Sequence, residues 1–175
     1  MMRMRLAAML AALMLLTAVG VSAQDREQQS SFVGSVLTRV VVDPTTYAPA
    51  LLGYDATIRD WNSSQPFFQH GFREANARFT ISGLANDVPV GYAAGRRIIL
   101  ADALVSLERS VVNNVAEQVI ERILVQRFPN HRKLVRGLGW AQRISFASFK
   151  SYRLSAKHYR QAAQNERLAR DLGYD

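Results

Sequence analysis

The chain has 175 residues, a formal net charge of +8 and no cysteine. This length suffices for one domain with a hydrophobic core, and the lack of cysteine excludes disulfides as its support. The charge is uneven: residues 127–175 contain eleven Lys/Arg and three Asp/Glu, whereas residues 24–126 contain nine and eleven.

The first 23 residues have the pattern of a secretory signal peptide. A positively charged start precedes an apolar run over residues 6–19, and Val21-Ser22-Ala23 offers small residues for cleavage. The alternative is a retained membrane anchor, but the apolar run is shorter than the ~20 residues that a membrane-spanning helix needs. No cysteine follows the cleavage site, which argues against a lipoprotein anchor. The sequence therefore predicts export to the periplasm or the cell-envelope membrane.

The next segments predict a leader and the first helices. Residues 24–31 are polar and predict a flexible leader, whereas residues 32–42 fit either a helical face or a strand, with helix favoured. Asp43 and Pro44 then form a helix start, since Asp can accept from free N–H groups and Pro suits the first turn. One apolar stripe follows at helical spacing, comprising Tyr47, Leu51, Tyr54, Ile58 and Trp61.

Proline and glycine punctuate the middle of the chain. Pro49 should kink the first long helix or delay its start, and that helix should end near Asn62, ahead of Pro66. A second helix is predicted over residues 67–78. Residues 80–95 then contain Gly83, Asn86-Asp87, Pro89, Gly91 and Gly95, which predicts a long ordered loop.

Two longer helices are predicted after this loop. The first, over residues 96–128, has an apolar line of Leu104, Leu107, Val111, Val115, Val119 and Ile123. The last runs from Trp140 to about Leu172, after a turn through Gly137 and Gly139. Its inner line is Trp140, Ile144, Ala147, Ser151, Leu154, His158 and Ala162. Helical periodicity with few strand signals predicts an all-α bundle of four to five helices, forming a single domain over residues 32–175.

Three side chains near the end of the first long helix are the candidates for chemistry. His70 and Glu74 stand four residues apart, so a helix would place them on one face, where they could hold a metal or transfer a proton. Asp60 could join them, and the alternative is a surface ion pair. A Ser–His–acid set would use Ser63 or Ser64, but no G-x-S-x-G elbow is present. No complete metal motif occurs, so neither a metal nor a cofactor is predicted.

Other polar side chains have structural interpretations. Trp61 should be buried against the helix over residues 96–128. At least one of Asp60 and Glu74 should pair with an arginine of a later helix, because two close carboxylates repel. The polar side chains predicted to have such structural roles are Trp61, Asn76, Glu108, Arg122 and His158.

Two resemblances bear on function. Thr80-Ile81-Ser82-Gly83 and the segment Arg153–Tyr159 resemble motifs of membrane acid phosphatases of the phosphatidic-acid type. However, Leu84 stands where that family has a histidine, and Ala162 stands where it has the aspartate that orients His158. A closer resemblance, over residues 54–76, is to uncharacterised bacterial exported helical proteins. The residues that carry it are Asp60, Ser63, Ser64, Gly71, Glu74 and Asn76. It implies a helical, envelope-located protein and no known activity.

The basic last helix suggests what the protein contacts. Its candidate surface residues are Arg132, Lys133, Arg136, Lys150, Lys157 and Arg160. In an exported protein such a surface favours an anionic membrane or another envelope protein over nucleic acid. The preferred hypothesis is a non-enzymatic envelope protein. The alternative is an envelope hydrolase or metal-binding protein that uses Asp60, His70 and Glu74.

Overall fold

The computed structural model describes the backbone of residues 23–174 and the side chains of residues 32–174. The predicted signal peptide therefore lies outside the described residues, apart from Ala23. The chain divides into two compact units, Met1–Arg39 and Val40–Asp175. The single domain over residues 32–175 stays a prediction.

The described chain contains four α-helices and no strand, so the all-α prediction is confirmed. We number them α1 (Ala23–Val42), α2 (Ala48–Gln69), α3 (Tyr92–Arg127) and α4 (Arg132–Leu172). Short 3₁₀ turns lie at Pro44–Thr46, Ala77–Phe79 and Pro129–His131. Within the second unit, α2 packs most extensively against α4 and less extensively against α3.

The first described helix begins earlier than the sequence predicts. Residues 24–31, predicted as a flexible leader, have helical backbone within α1. The segment contains three Gln, one Glu and one Arg, which are good helix formers despite their polarity. Asp43 caps the following 3₁₀ turn, accepting from the backbone N–H of Thr45 at 2.9 Å.

Helix α2 continues through Pro66, so the predicted end near Asn62 and the separate helix over residues 67–78 are wrong. Side chains help to satisfy backbone carbonyls in the turn before the proline. The hydroxyls of Ser63 and Ser64 both donate to the carbonyl of Asp60, and the Gln65 amide donates to that of Trp61. Pro49 lies in the first turn of α2. A backbone N–H at that position would have no carbonyl partner within the helix, so a proline there removes no helical hydrogen bond.

The segment between α2 and α3, residues 70–91, has no α-helix. It is held by two isolated antiparallel bridges, Glu74 with Asp87 and Thr80 with Pro89. Helix α3 begins at Tyr92 and not at Arg96 as predicted, so residues 92–95 belong to the helix and not to the preceding loop. The early start brings Gly95 against Trp61, where a Cβ would lie 2.3 Å from a ring carbon.

The buried face of α3 is polar, which overturns the predicted apolar line. Its buried residues beyond the first two turns are Ser110, Asn114, Gln118 and Glu121, whereas Leu104 and Ile123 are exposed. The reason is that neighbouring elements present hydrogen-bonding groups to this face. The Asn114 amide, for example, donates to the hydroxyls of Thr45 and Thr46 at 2.9 and 2.8 Å.

Helix α4 begins at Arg132, so Gly137 and Gly139 lie inside the helix and not in the predicted turn. Gly139 permits a close approach of α3, because a Cβ there would lie 2.7 Å from a carboxylate oxygen of Glu121. On the predicted inner line of α4, Ala147, Ser151 and Ala162 are buried, but Trp140 is 59 % exposed. Gly139 and Arg143 are buried at this level of α4 instead.

Two clusters hold the second unit together. The first is apolar and consists of Trp61, Phe79 and Ile99, with Tyr54, Ile58, Phe68, Val90 and Ile98 packed around them. The second is ionic and joins three elements. The Arg143 guanidinium donates to Asp43 at 3.0 Å and to Glu121 at 3.1 Å, with all three side chains nearly or fully buried.

Candidate functional site

A cleft of about 690 Å³ lies between α2, α4 and the segment that follows α2. Its apolar wall consists of Trp61, Phe67, Phe68, Phe72, Phe79 and Leu168. Its uncharged polar groups are Thr57, Ser64, Asn76, Gln161 and Asn165, and its ionisable groups are Asp60, Arg73, Glu74, Lys157 and His158. This size matches sites that enclose a small organic molecule.

Asp60 and His158 form the central polar contact of the cleft. The Oδ2 atom of Asp60 lies 2.6 Å from Nδ1 of His158, and the two side chains are 19 % and 31 % exposed. Because the carboxylate accepts this hydrogen bond, Nδ1 carries a proton, and Nε2 of the neutral ring is an acceptor. Within residues 32–174, Nε2 has no hydrogen-bond partner.

The Asp60–His158 contact corrects two expectations. The side chain that meets Asp60 from a later helix is a histidine and not an arginine, and His158 is half-buried at a cleft and not enclosed in the core. It also supplies the carboxylate that the phosphatase resemblance lacks, although from α2 and not from α4. Ser82 and Gly83 do not line the cleft, so the two halves of that motif do not meet there.

A second polar contact joins the same two helices just outside the cleft. The Tyr159 hydroxyl donates to Oδ2 of Asp55 at 2.7 Å, and Arg59 pairs with the same oxygen at 3.0 Å. The hydrogen bond from Tyr159 lowers the pKa of Asp55, and the same bond raises the pKa of Tyr159. Together the two contacts fix the register of α2 on α4.

His70 and Glu74 do not face each other, because residues 70–74 are not helical. The His70 ring stacks on Tyr174 with centroids 3.7 Å apart, and its Nδ1 donates to the carbonyl of Pro66. Glu74 lines the cleft and accepts from the backbone N–H of Asn76 at 2.7 Å. The proposed set of Asp60, His70 and Glu74 therefore does not converge.

The described side chains contain no group of three or more His, Asp and Glu residues placed to hold a metal ion. Ser63 and Ser64 accept hydrogen bonds from Asn165 and donate to the carbonyl of Asp60. Neither serine has a hydrogen bond to an imidazole within residues 32–174. A Ser–His–acid arrangement is therefore absent from this part of the chain.

The remaining predicted polar residues have mixed placements. Trp61 is 4 % exposed and donates from Nε1 to the carbonyl of Tyr92 at 3.2 Å. Asn76 accepts from the N–H of Arg78 and lines the cleft. Glu108 and Arg122 are half-buried on α3, outside the fully buried face.

The basic residues of α4 form no ion pair with the cleft carboxylates. Arg132, Lys133, Arg136, Lys157 and Arg160 are exposed, and Lys150 is half-buried. No acidic residue occurs between residues 122 and 165. Within residues 23–174, the helices include none that combines the length with the hydrophobicity needed to cross a membrane.

The sequence reasoning did not identify the buried cluster of Asp43, Glu121 and Arg143 or the role of Asn114. Signals were present but ambiguous. Asp43 has the pattern of a helix cap, which it also is, and the spacing of Asn114, Gln118 and Glu121 marks one face of α3 only if that face is assumed to be polar.

Comparisons with protein-family models, curated proteins and solved structures give no match.

Proposed function

We propose that this is an exported, non-enzymatic cell-envelope protein that attaches to an anionic lipid surface through the connection between α3 and α4. The supporting observation is the combination of side chains exposed there. The apolar ones are Ile120, Ile123, Leu124, Phe128, Leu134, Leu138 and Trp140, and the basic ones are Arg127, Arg132, Lys133 and Arg136. We call this surface the α3–α4 tip.

The physical argument rests on two forces that act together at a membrane interface. Apolar and aromatic side chains gain free energy by leaving water for the headgroup boundary. Basic side chains near an anionic surface each add roughly 1 kcal/mol at moderate ionic strength. An acidic side chain would oppose this attraction, and the α3–α4 tip contains none that is exposed, since Glu121 is buried against Arg143. Export is supported by the signal-peptide pattern of the first 23 residues.

The test is flotation of the purified mature chain with phosphatidylglycerol vesicles and with phosphatidylcholine vesicles. We expect flotation with the anionic vesicles at low salt and its loss at high salt, because salt screens exposed charges. A triple variant, Arg132→Glu with Lys133→Glu and Arg136→Glu, should abolish it. The matched control changes the same amount of charge at the other end of α4, with Arg160→Glu, Arg167→Glu and Arg170→Glu.

Two results would contradict the proposal. One is the absence of flotation with anionic vesicles at low salt, which would leave a protein partner as the better explanation of the exposed surface. The other is an equal loss of flotation in both triple variants, which would assign the attraction to net charge and not to the α3–α4 tip.

An envelope hydrolase is the second candidate, and one observation favours it. The Asp60 carboxylate orients an imidazole in the manner of a general base, although His70 does not line the cleft and Glu74 lines it without a hydrogen bond to this pair. If this candidate is correct, the protein should hydrolyse an activated ester such as 4-nitrophenyl butyrate, and His158→Gln should abolish that turnover. Equal rates in the two proteins would assign the hydrolysis to some other group.

A further inference from the structure

We infer that the cleft beside Asp60 is a binding site for a neutral, hydroxyl-rich ligand of the carbohydrate class. The inference is independent of lipid attachment, because the cleft and the α3–α4 tip share no residue. A volume of about 690 Å³ lies inside the range of roughly 300–1,000 Å³ typical of small-ligand sites. It is large enough for more than one sugar ring.

The charge of the cleft argues for a neutral ligand. Asp60 and Glu74 contribute two negative charges, and Arg73 and Lys157 contribute two positive ones. Arg73 also pairs with Asp87 at 3.1 Å, and Asp87 lies outside the cleft lining. Even with Asp87 counted, the negative and positive charges differ by only one, so neither a polyanion nor a polycation would find a large surplus of opposite charge here.

The uncharged lining argues for hydroxyl groups on the ligand. Gln161 donates to Asn165, Asn165 donates to Ser63 and Ser64, and Asn76 accepts from Arg78. Each of these three amides has further donor and acceptor positions beyond those bonds. A hydroxyl group has the same double capacity, so a ligand with many hydroxyls can satisfy these side chains in either direction. The aromatic side chains opposite, Phe68 and Phe72 among them, offer apolar faces against which the C–H side of a sugar ring can pack.

His158 supplies the most directional group. Asp60 holds the proton on Nδ1, which leaves Nε2 as an acceptor for a donor hydroxyl. Asp60 acts here as a positioning residue, since its carboxylate orients the ring. A site built to accept from a hydroxyl loses affinity when the acceptor is removed, because the ligand hydroxyl is then left unpaired.

The experiment is isothermal titration calorimetry of the mature chain with the tetramer of N-acetylglucosamine and with cellotetraose. We expect saturable binding of at least one tetramer. His158→Phe, which keeps a ring and removes the acceptor, should weaken binding about tenfold, as expected for the loss of one hydrogen bond. Asp60→Asn should weaken it less, because the amide oxygen can still accept from Nδ1.

The matched control is Asp55→Asn. This substitution disturbs the hydrogen bond between Asp55 of α2 and Tyr159 of α4, which neighbours the Asp60–His158 contact. Asp55 itself does not line the cleft. We expect its affinity to equal that of the unaltered chain. Absence of saturable binding of both tetramers by the unaltered chain would overturn the inference. So would an Asp55→Asn loss as large as that of His158→Phe, since the effect would then come from helix packing.

Discussion

At the scale of single residues, Arg143 is the centre of the buried ionic cluster. It joins Asp43 and Glu121, which come from different elements, and its own side chain is 7 % exposed. Removing one member of a buried ionic cluster leaves uncompensated charge. We therefore expect Arg143→Met to lower the free energy of unfolding by roughly 3–5 kcal/mol, measured by urea denaturation.

The control for this prediction is the exposed pair of Arg78 and Asp102. Its two hydrogen bonds, of 2.8 and 2.6 Å, are at least as short as those of Arg143, but the side chains are 61 % and 45 % exposed. Arg78→Met should cost less than about 1 kcal/mol, because water screens exposed pairs. Equal losses in the two variants would show that the Arg143 cluster is no more than a surface-like contact.

The contact between Asp55 and Tyr159 predicts a pH dependence. The pKa of Asp55 is lowered, so its contribution to stability is present above its ordinary pKa and is lost as pH falls through the folded value. The pKa of Tyr159 is raised, so its contribution is present below its ordinary pKa and is lost as pH rises through the folded value. The stability difference between the unaltered chain and Tyr159→Phe should therefore be largest between about pH 5 and 9.

Urea denaturation of both proteins at acid, neutral and alkaline pH would measure this difference. We expect it to decline at both ends of the range, and Phe149→Leu, at an exposed position of α4, should show no such profile. A difference that stays constant with pH would mean that the hydrogen bond does not couple to either titration.

At the scale of elements, α2 and α3 meet at a glycine. A Cβ at Gly95 would lie 2.3 Å from two ring carbons of Trp61, whose ring is fixed by Phe68 and Phe79. Gly95→Ala should lower stability by about 1–3 kcal/mol through overpacking. Gly137→Ala is the matched control, because Gly137 also lies within a helix but has nothing within 4 Å of the added carbon.

We expect Gly137→Ala to raise stability by about 0.5–1 kcal/mol, since alanine restricts the unfolded chain and favours helix. Both variants change the same intrinsic propensity, so their difference reports the packing at Trp61. Thermal unfolding would measure it. If the two variants shift the melting temperature in the same direction and by the same amount, close packing at Gly95 is refuted.

The helices also show how much of the fold can be predicted from the sequence. Periodicity and caps predict helices in the right regions, because these signals are local. The predicted buried face of α3 and the predicted start of α4 are wrong, because both depend on which side chains the neighbouring elements present. Apolar periodicity assumes an apolar interior, and around Asn114 the interior is polar. The contact of Asp60 with His158 joins residues 98 positions apart, so no local pattern contains it.

At the scale of the whole molecule, the unit Val40–Asp175 contains both the apolar cluster around Trp61 and the ionic cluster around Arg143. We therefore expect residues 40–175, produced alone, to fold cooperatively. Circular dichroism should show helical content consistent with α2, α3 and α4, and a single unfolding transition. The comparison is a fragment of residues 48–175, which lacks Asp43, Thr45 and Thr46 and should be clearly less stable. Equal stability would mean that these residues contribute nothing to the core.

The polar buried face of α3 has a calorimetric consequence. The heat capacity rises on unfolding when apolar surface becomes exposed and falls when polar surface does. Here Ser110, Asn114 and Gln118 would become exposed, whereas Leu134 and Leu138 are already more than half exposed in the folded chain. Differential scanning calorimetry of residues 40–175 should therefore give a heat-capacity increment of unfolding below the usual value of roughly 12–15 cal/mol/K per residue. Such a protein has a flatter stability curve and resists cold denaturation better than its melting temperature alone would indicate.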